Sequence, residues 1–122
     1  MESKHTTFKV GVRVAKAYHS LDNLYRIENS GVNLNQIYFD VMSEAVNGKT
    51  YAISFSECQK ILNAALEADL EDLKDRSSFI REYLDHNRVK ASTEVLSFVI
   101  EALKMPEDDT VSEGKKIVAS TV

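Results

Sequence analysis

A chain of 122 residues is the size of one domain built on one core. Its 43% hydrophobic and 28% charged residues exclude wholesale disorder, and 4 Gly and 1 Pro are too few for the many turns of a β-sandwich. The net charge of −4 argues against a dedicated nucleic-acid binder and against an anionic membrane surface as partner, since both are held through an excess of Lys and Arg.

That charge is unevenly spread. Residues 1–30 carry a net of +2, residues 31–75 a net of −5, residues 76–105 a net of +1 and residues 106–122 a net of −2. An acidic middle between basic flanks fits internal or intersubunit pairing as well as an external partner. Cys58 is the only cysteine, so no internal disulfide forms and a reducing compartment is expected. The first residues lead into no apolar signal region, and the most apolar stretch, Val95–Ile100, is far too short to cross a bilayer. The expected location is the cytoplasm.

In chain order, two patterns compete over residues 6–14. Phe8, Val10, Val12 and Val14 alternate with Lys9, Gly11 and Arg13 as in a strand, while Val10, Val14, Ala17, Tyr18, Leu21, Leu24 and Tyr25 recur at helical spacing. The expectation is a short extended segment over 6–12, then a helix that stops at Asn29-Ser30-Gly31. The outward face of that helix would carry Arg13, Lys16, His19, Asn23 and Arg26, and its cations, with Lys9, would form a basic face.

Asn33 is an N-cap for a second helix, whose stripe is Leu34, Ile37, Tyr38, Val41, Met42 and Ala45 and whose end is Asn47-Gly48. Tyr51, Ile53 and Phe55 alternate, which predicts a short strand at 50–55. Ser54 with Glu57 and Ser56 with Gln59 are capping-box pairs that open a third helix. Its stripe of Cys58, Leu62, Ala65, Leu66, Leu70 and Leu73 stays in phase with Ile80, Tyr83 and Leu84. Residues 57–87 then read as one rod of about 45 Å, too long for a domain with a radius of gyration of about 14 Å, so that a second chain would cover it. The alternative is a break at Ser77-Ser78. Ser92 or Thr93 opens the last helix, and Lys104-Met105-Pro106 ends it. Phe98 lies opposite Leu96 on that helix, which gives it two apolar sides. Residues 106–122 read as a flexible tail, with strand character at 116–121.

Asp69 falls within the leucine stripe, and Arg76 follows on the same face seven residues on. An isolated buried carboxylate is costly, so Asp69 either pairs with Arg76 of an antiparallel partner helix or sits in water. The expected self-association surface is Leu62, Leu66, Asp69, Leu73, Arg76, Ile80, Tyr83 and Phe98. Glu67, Glu71, Asp72 and Asp75 form an acidic face, read either as a docking strip for a basic partner or as a solvated helix face. His5, His19 and His86 are scattered without metal-ligand spacing, and Cys58 on its apolar stripe reads as core. No nucleophile elbow, phosphate loop or dinucleotide fingerprint occurs, so no cofactor or metal is expected.

These readings predict a mainly α bundle of four or five helices with a small β element, residues 1–105 forming one helical domain. The expected role is that of a small non-catalytic protein-interaction module: an inhibitor, adaptor or regulatory subunit that pairs with itself and with another protein. The alternative is a nucleic-acid-binding regulator that uses Lys9, Arg13, Lys16 and Arg26. An enzyme with an unmarked site near Cys58 and Asp69 is the third possibility.

Overall fold

The computed structural model describes the backbone of residues 4–110 and the side chains as far as Lys104. Within that range strands β1 (His5–Val10) and β2 (Arg13–Tyr18) are followed by helices α1 (Leu21–Asn29), α2 (Leu34–Val46), α3 (Phe55–Ala65), α4 (Leu73–His86) and α5 (Ala91–Thr110). The protein is mainly α with a two-stranded antiparallel sheet, as the periodicity and composition indicate.

The strand pattern prevails well past Val12. Phe8 lies opposite Ala15 and Val10 opposite Arg13, and Gly11 takes a φ of +61°, which lets a two-residue turn join the strands. Residues 13–18 are therefore β2 and not the first turns of a helix. The alternation explains why: Phe8, Ala15 and Ala17 are buried on the inner face, while Lys9, Val14 and Lys16 lie on the outer one. The strand expected at 50–55 does not form. Residues 51–54 are a connection in which the Ile53 N–H donates to Ser92 Oγ at 3.0 Å.

Helix starts follow the capping chemistry. The side chains of Ser20, Asn33, Ser54 and Asp72 each accept a hydrogen bond from the backbone N–H three residues on. Gly31 and Gly48, both at positive φ, follow α1 and α2 where the sequence places the stops.

The rod expected over 57–87 is two helices. The chain turns at 66–72, not at Ser77-Ser78, although no Gly or Pro lies there. Arg76 supplies the reason. The residue is buried (6% exposed), and its Nη1 donates to the Leu70 and Glu71 carbonyls at 2.7 and 3.2 Å. Its Nε donates to Asn63 Oδ1 at 3.0 Å. One cation thus satisfies turn carbonyls that a continuous helix would have given to its own N–H groups. At the other end of the chain, α5 continues past Pro106 to Thr110, where the sequence reading ends the helix. A proline removes one ladder bond without by itself forbidding the turns that follow. The expected strand at 116–121, and the expected tail beyond Thr110, lie outside the described residues.

The core centres on α3, which touches α1, α4, α5 and β2. Cys58, Ile61, Leu62, Ala65 and Leu66 are buried, and Val95, Phe98, Val99 and Ala102 of α5 join them in one cluster. The Phe8 ring stands edge-on to Tyr83 and to Phe98, with centroids 5.4 and 6.3 Å apart.

Asn23, expected on the outward face of the first helix, instead ties the hairpin to this core. It is fully buried, and its Nδ2 donates to the Tyr18 carbonyl at 2.8 Å and to the Ala65 carbonyl at 2.9 Å. Its Oδ1 accepts from Arg26 Nε and Nη2 at 3.2 and 2.9 Å. Substituting Asn23→Ala strands both carbonyls and the guanidinium. The expected loss is about 3 kcal/mol of stability, seen as a lower midpoint in urea unfolding with an unchanged slope.

Candidate functional site

Most of the surface expected for self-association is interior to a single chain. Leu62, Leu66, Tyr83 and Phe98 are 0% exposed, and Ile80 and Arg76 are nearly so. They are unavailable to a second copy because the turn at 66–72 folds α4 back, so that the leucine stripe is covered from within. Leu73 stays 60% exposed at the start of α4. Asp69 is exposed and does not meet Arg76. Its Oδ2 accepts the Lys16 backbone N–H at 2.8 Å.

The acidic strip is not a helix face. Glu67 and Glu71 sit exposed in the α3–α4 connection, and Asp72 is spent on the N-cap of α4, where its Oδ2 accepts from the Asp75 N–H at 3.0 Å. The basic face is divided as well. Arg13 reaches across to Glu82 at 2.7 Å, with its guanidinium carbon 5.5 Å from the Phe79 ring centre. Arg26 is held on Asn23. Lys9 and Lys16 remain together, on the outer face of the hairpin.

The molecule presents another apolar surface. On α2, Phe39 is 65%, Met42 38% and Val46 86% exposed. The opposite side of the same helix buries Leu34 and Ile37. Asn35, Phe39, Met42 and Val46 are spaced four, three and four residues apart, the 3.5-residue repeat of a helix-pairing seam, and no charged residue stands among them. The sequence held this signal in the apolar residues Phe39 and Val46, which fall off the helix's main stripe.

The titratable groups inside the fold are shaped for packing. His19, expected on a solvated face, is 8% exposed beside Phe98. Its Nε2 shares a hydrogen bond with Thr6 Oγ1 at 2.8 Å, and its Nδ1 has no partner among the described residues. Burial lowers its pKa, partly offset by the Glu101 carboxylate. The Tyr83 hydroxyl donates to Glu94, and burial pushes its pKa up, an effect the Glu94 contact reinforces. Cys58 is buried, and that burial lifts its thiol to about 11 with a smaller contribution from Glu57.

A groove of ≈ 990 Å³ lies between α3 and α4, with Phe55, Asn63, Arg81 and Arg88 among its lining residues. Its acids are already engaged. Arg88 pairs with Asp85 at 2.6 Å, lowering that carboxyl by the hydrogen bond and then by charge, and Glu82 holds Arg13. Among the described residues no three His, Cys, Asp or Glu side chains cluster as a metal ion would require. Comparison with known proteins finds no matching family model, no similar curated protein and no similar solved structure.

Two outcomes follow from the buried groups. The unfolded chain protonates His19 near its ordinary value of 6.5, while the folded chain resists the proton. The stability His19 contributes is therefore complete above that value and is lost as pH falls through it toward the folded value. Urea unfolding from about pH 7.5 to about pH 5.5 should show this decline, and H19Q should show less of it. The Cys58 thiol should react with a disulfide reagent only as fast as the protein opens. Labelling would then accelerate sharply in denaturant, and rapid labelling of the native protein would contradict its placement.

Proposed function

We propose that this protein is a small non-catalytic protein-interaction module that pairs with a second copy of itself through the outer face of α2. The observation that carries the reading is the exposed, charge-free seam of Phe39, Met42 and Val46. An exposed apolar stripe in register along a helix costs solubility unless something covers it. A second copy supports that requirement economically, because an antiparallel pairing of α2 with itself sets apolar side chains against apolar side chains.

Charge supports the same choice. Two copies each carrying −4 repel at long range, and a seam without Asp or Glu lets them meet where that repulsion is least. Three large side chains make a small interface, so the expected affinity is weak, about micromolar. No helix among the described residues is long and apolar enough to cross a membrane.

Sedimentation velocity tests the reading. The wild type should show a concentration-dependent monomer–dimer equilibrium, and Phe39→Glu should weaken it at least about tenfold without moving the unfolding midpoint. A wild type that stays monomeric at high micromolar concentration removes the self-association. A Phe39→Glu variant that still dimerises places the contact elsewhere.

A further inference from the structure

Among the described residues the two edges of the hairpin are covered unequally. The His19 N–H donates to the Lys4 carbonyl at 3.0 Å, which makes Lys4 and His19 a hydrogen-bonded pair. Bonded and non-bonded pairs alternate along an antiparallel ladder. Thr6/Ala17, Phe8/Ala15 and Val10/Arg13 are therefore the bonded pairs, and Thr7/Lys16 and Lys9/Val14 are not. Residues of the non-bonded pairs turn their N–H and C=O groups away from the partner strand, toward the edges of the sheet.

On the β2 edge two of those groups are occupied, the Lys16 N–H by Asp69 and the Tyr18 carbonyl by Asn23, while Val14 next to the turn is exposed. On the β1 edge, no hydrogen bond among the described residues reaches the main-chain N–H or C=O of Thr7 or Lys9, and both residues are exposed. Two donors and two acceptors thus stand in line at strand spacing, the template for an added strand.

The charge around this edge selects the strand. Residues 4–21 contain four Lys and Arg and no Asp or Glu. Arg13 is engaged by Glu82, while Lys9 and Lys16 share the outer face with Thr7. A second copy of β1 brings a like-charged hairpin against the first and is disfavoured. A strand with acidic residues on the outer face lies beside both lysines. Its alternate residues fall on the face of Phe8 and Val10 and are apolar. We propose that the open edge of β1 receives an extended acidic peptide segment of a partner protein, alternating acidic and apolar residues, as a third strand. This edge is separate from the α2 seam and does not rest on pairing there.

The experiment is fluorescence anisotropy with a labelled peptide of alternating Glu and Val, run beside a Lys-Val peptide, a Glu-Val peptide interrupted by proline and a single-stranded oligonucleotide. The Glu-Val peptide should bind, and more weakly as salt is raised. Lys9→Glu should weaken it at least about tenfold. Thr7→Pro removes one outward N–H and leaves the hairpin ladder intact, and it should weaken binding comparably. Should Thr7→Pro fail to fold, amide exchange in the wild type decides the matter. Bound peptide should slow exchange at Thr7 and Lys9 and not at Lys16. No binding at low salt, equal binding of the proline-interrupted peptide, or unchanged exchange at Thr7 and Lys9 each overturns the proposal. An oligonucleotide that binds more tightly than the Glu-Val peptide also overturns it, and assigns the basic hairpin to nucleic acid.

Discussion

The position of the hairpin depends on one buried amide. Asn23 offers two donors and an acceptor, and three different segments use them: the end of β2 through the Tyr18 carbonyl, the end of α3 through the Ala65 carbonyl, and Arg26 of α1 itself. Each carbonyl lies where a regular element stops and its own ladder no longer supplies a donor. In an apolar interior such a group costs far more unpaired than paired. One side chain thereby fixes where β2 ends, how α1 leaves it and how both meet the central helix. The hairpin's inner residues Phe8, Ala15 and Ala17 then have a defined surface on which to pack.

Arg76 does the same for the second half of the molecule. Its contacts to the Leu70 and Glu71 carbonyls and to Asn63 hold the turn that separates α3 from α4. With that turn in place, the leucines of α3 and the aromatic and apolar residues of α4 face one another and α5 within one chain. The long stripe needs no second molecule to cover it. A row of apolar side chains is left instead on α2, whose inner side buries Leu34 and Ile37 and whose outer side stays exposed among the described residues.

Where local chemistry is decisive, the sequence is readable. Asn33, Ser54, Gly31 and Gly48 mark helix ends because capping and positive φ are properties of a few neighbouring residues. The two-sided character of α5 is also legible, since Leu96 and Phe98 both find core. Residues 13–18 are not, because Val14, Ala17 and Tyr18 satisfy a helical and a strand period equally, and the choice falls to the pairing with β1. The turn at 66–72 is hidden for a different reason. It carries no breaker residue, and its carbonyls are satisfied by a side chain from α4 that only the folded chain brings near. The same holds for Asp69, whose partner is a main-chain N–H 53 residues away. Periodicity correctly marks it as odd within an apolar stripe, but spacing along one helix cannot name a partner on another element.

Asp69 also links the fold to the way the surface is divided. A two-residue hairpin turn leaves a small sheet with two edges, and exposed edges invite pairing by any extended chain. Asp69 of the α3–α4 connection and Asn23 of α1 occupy part of the β2 edge from within. Among the described residues the β1 edge has no such neighbour at Thr7 and Lys9, and what stands there is a lysine. A cation beside unpaired main-chain groups repels other copies of the same basic strand while leaving the hydrogen-bonding template intact. The edge is therefore selective by charge, whereas the α2 seam, which lacks charge, discriminates by shape alone. Under the two proposals, contacts at the hairpin would weaken with salt and contacts at α2 would not, so the two surfaces would respond to different conditions.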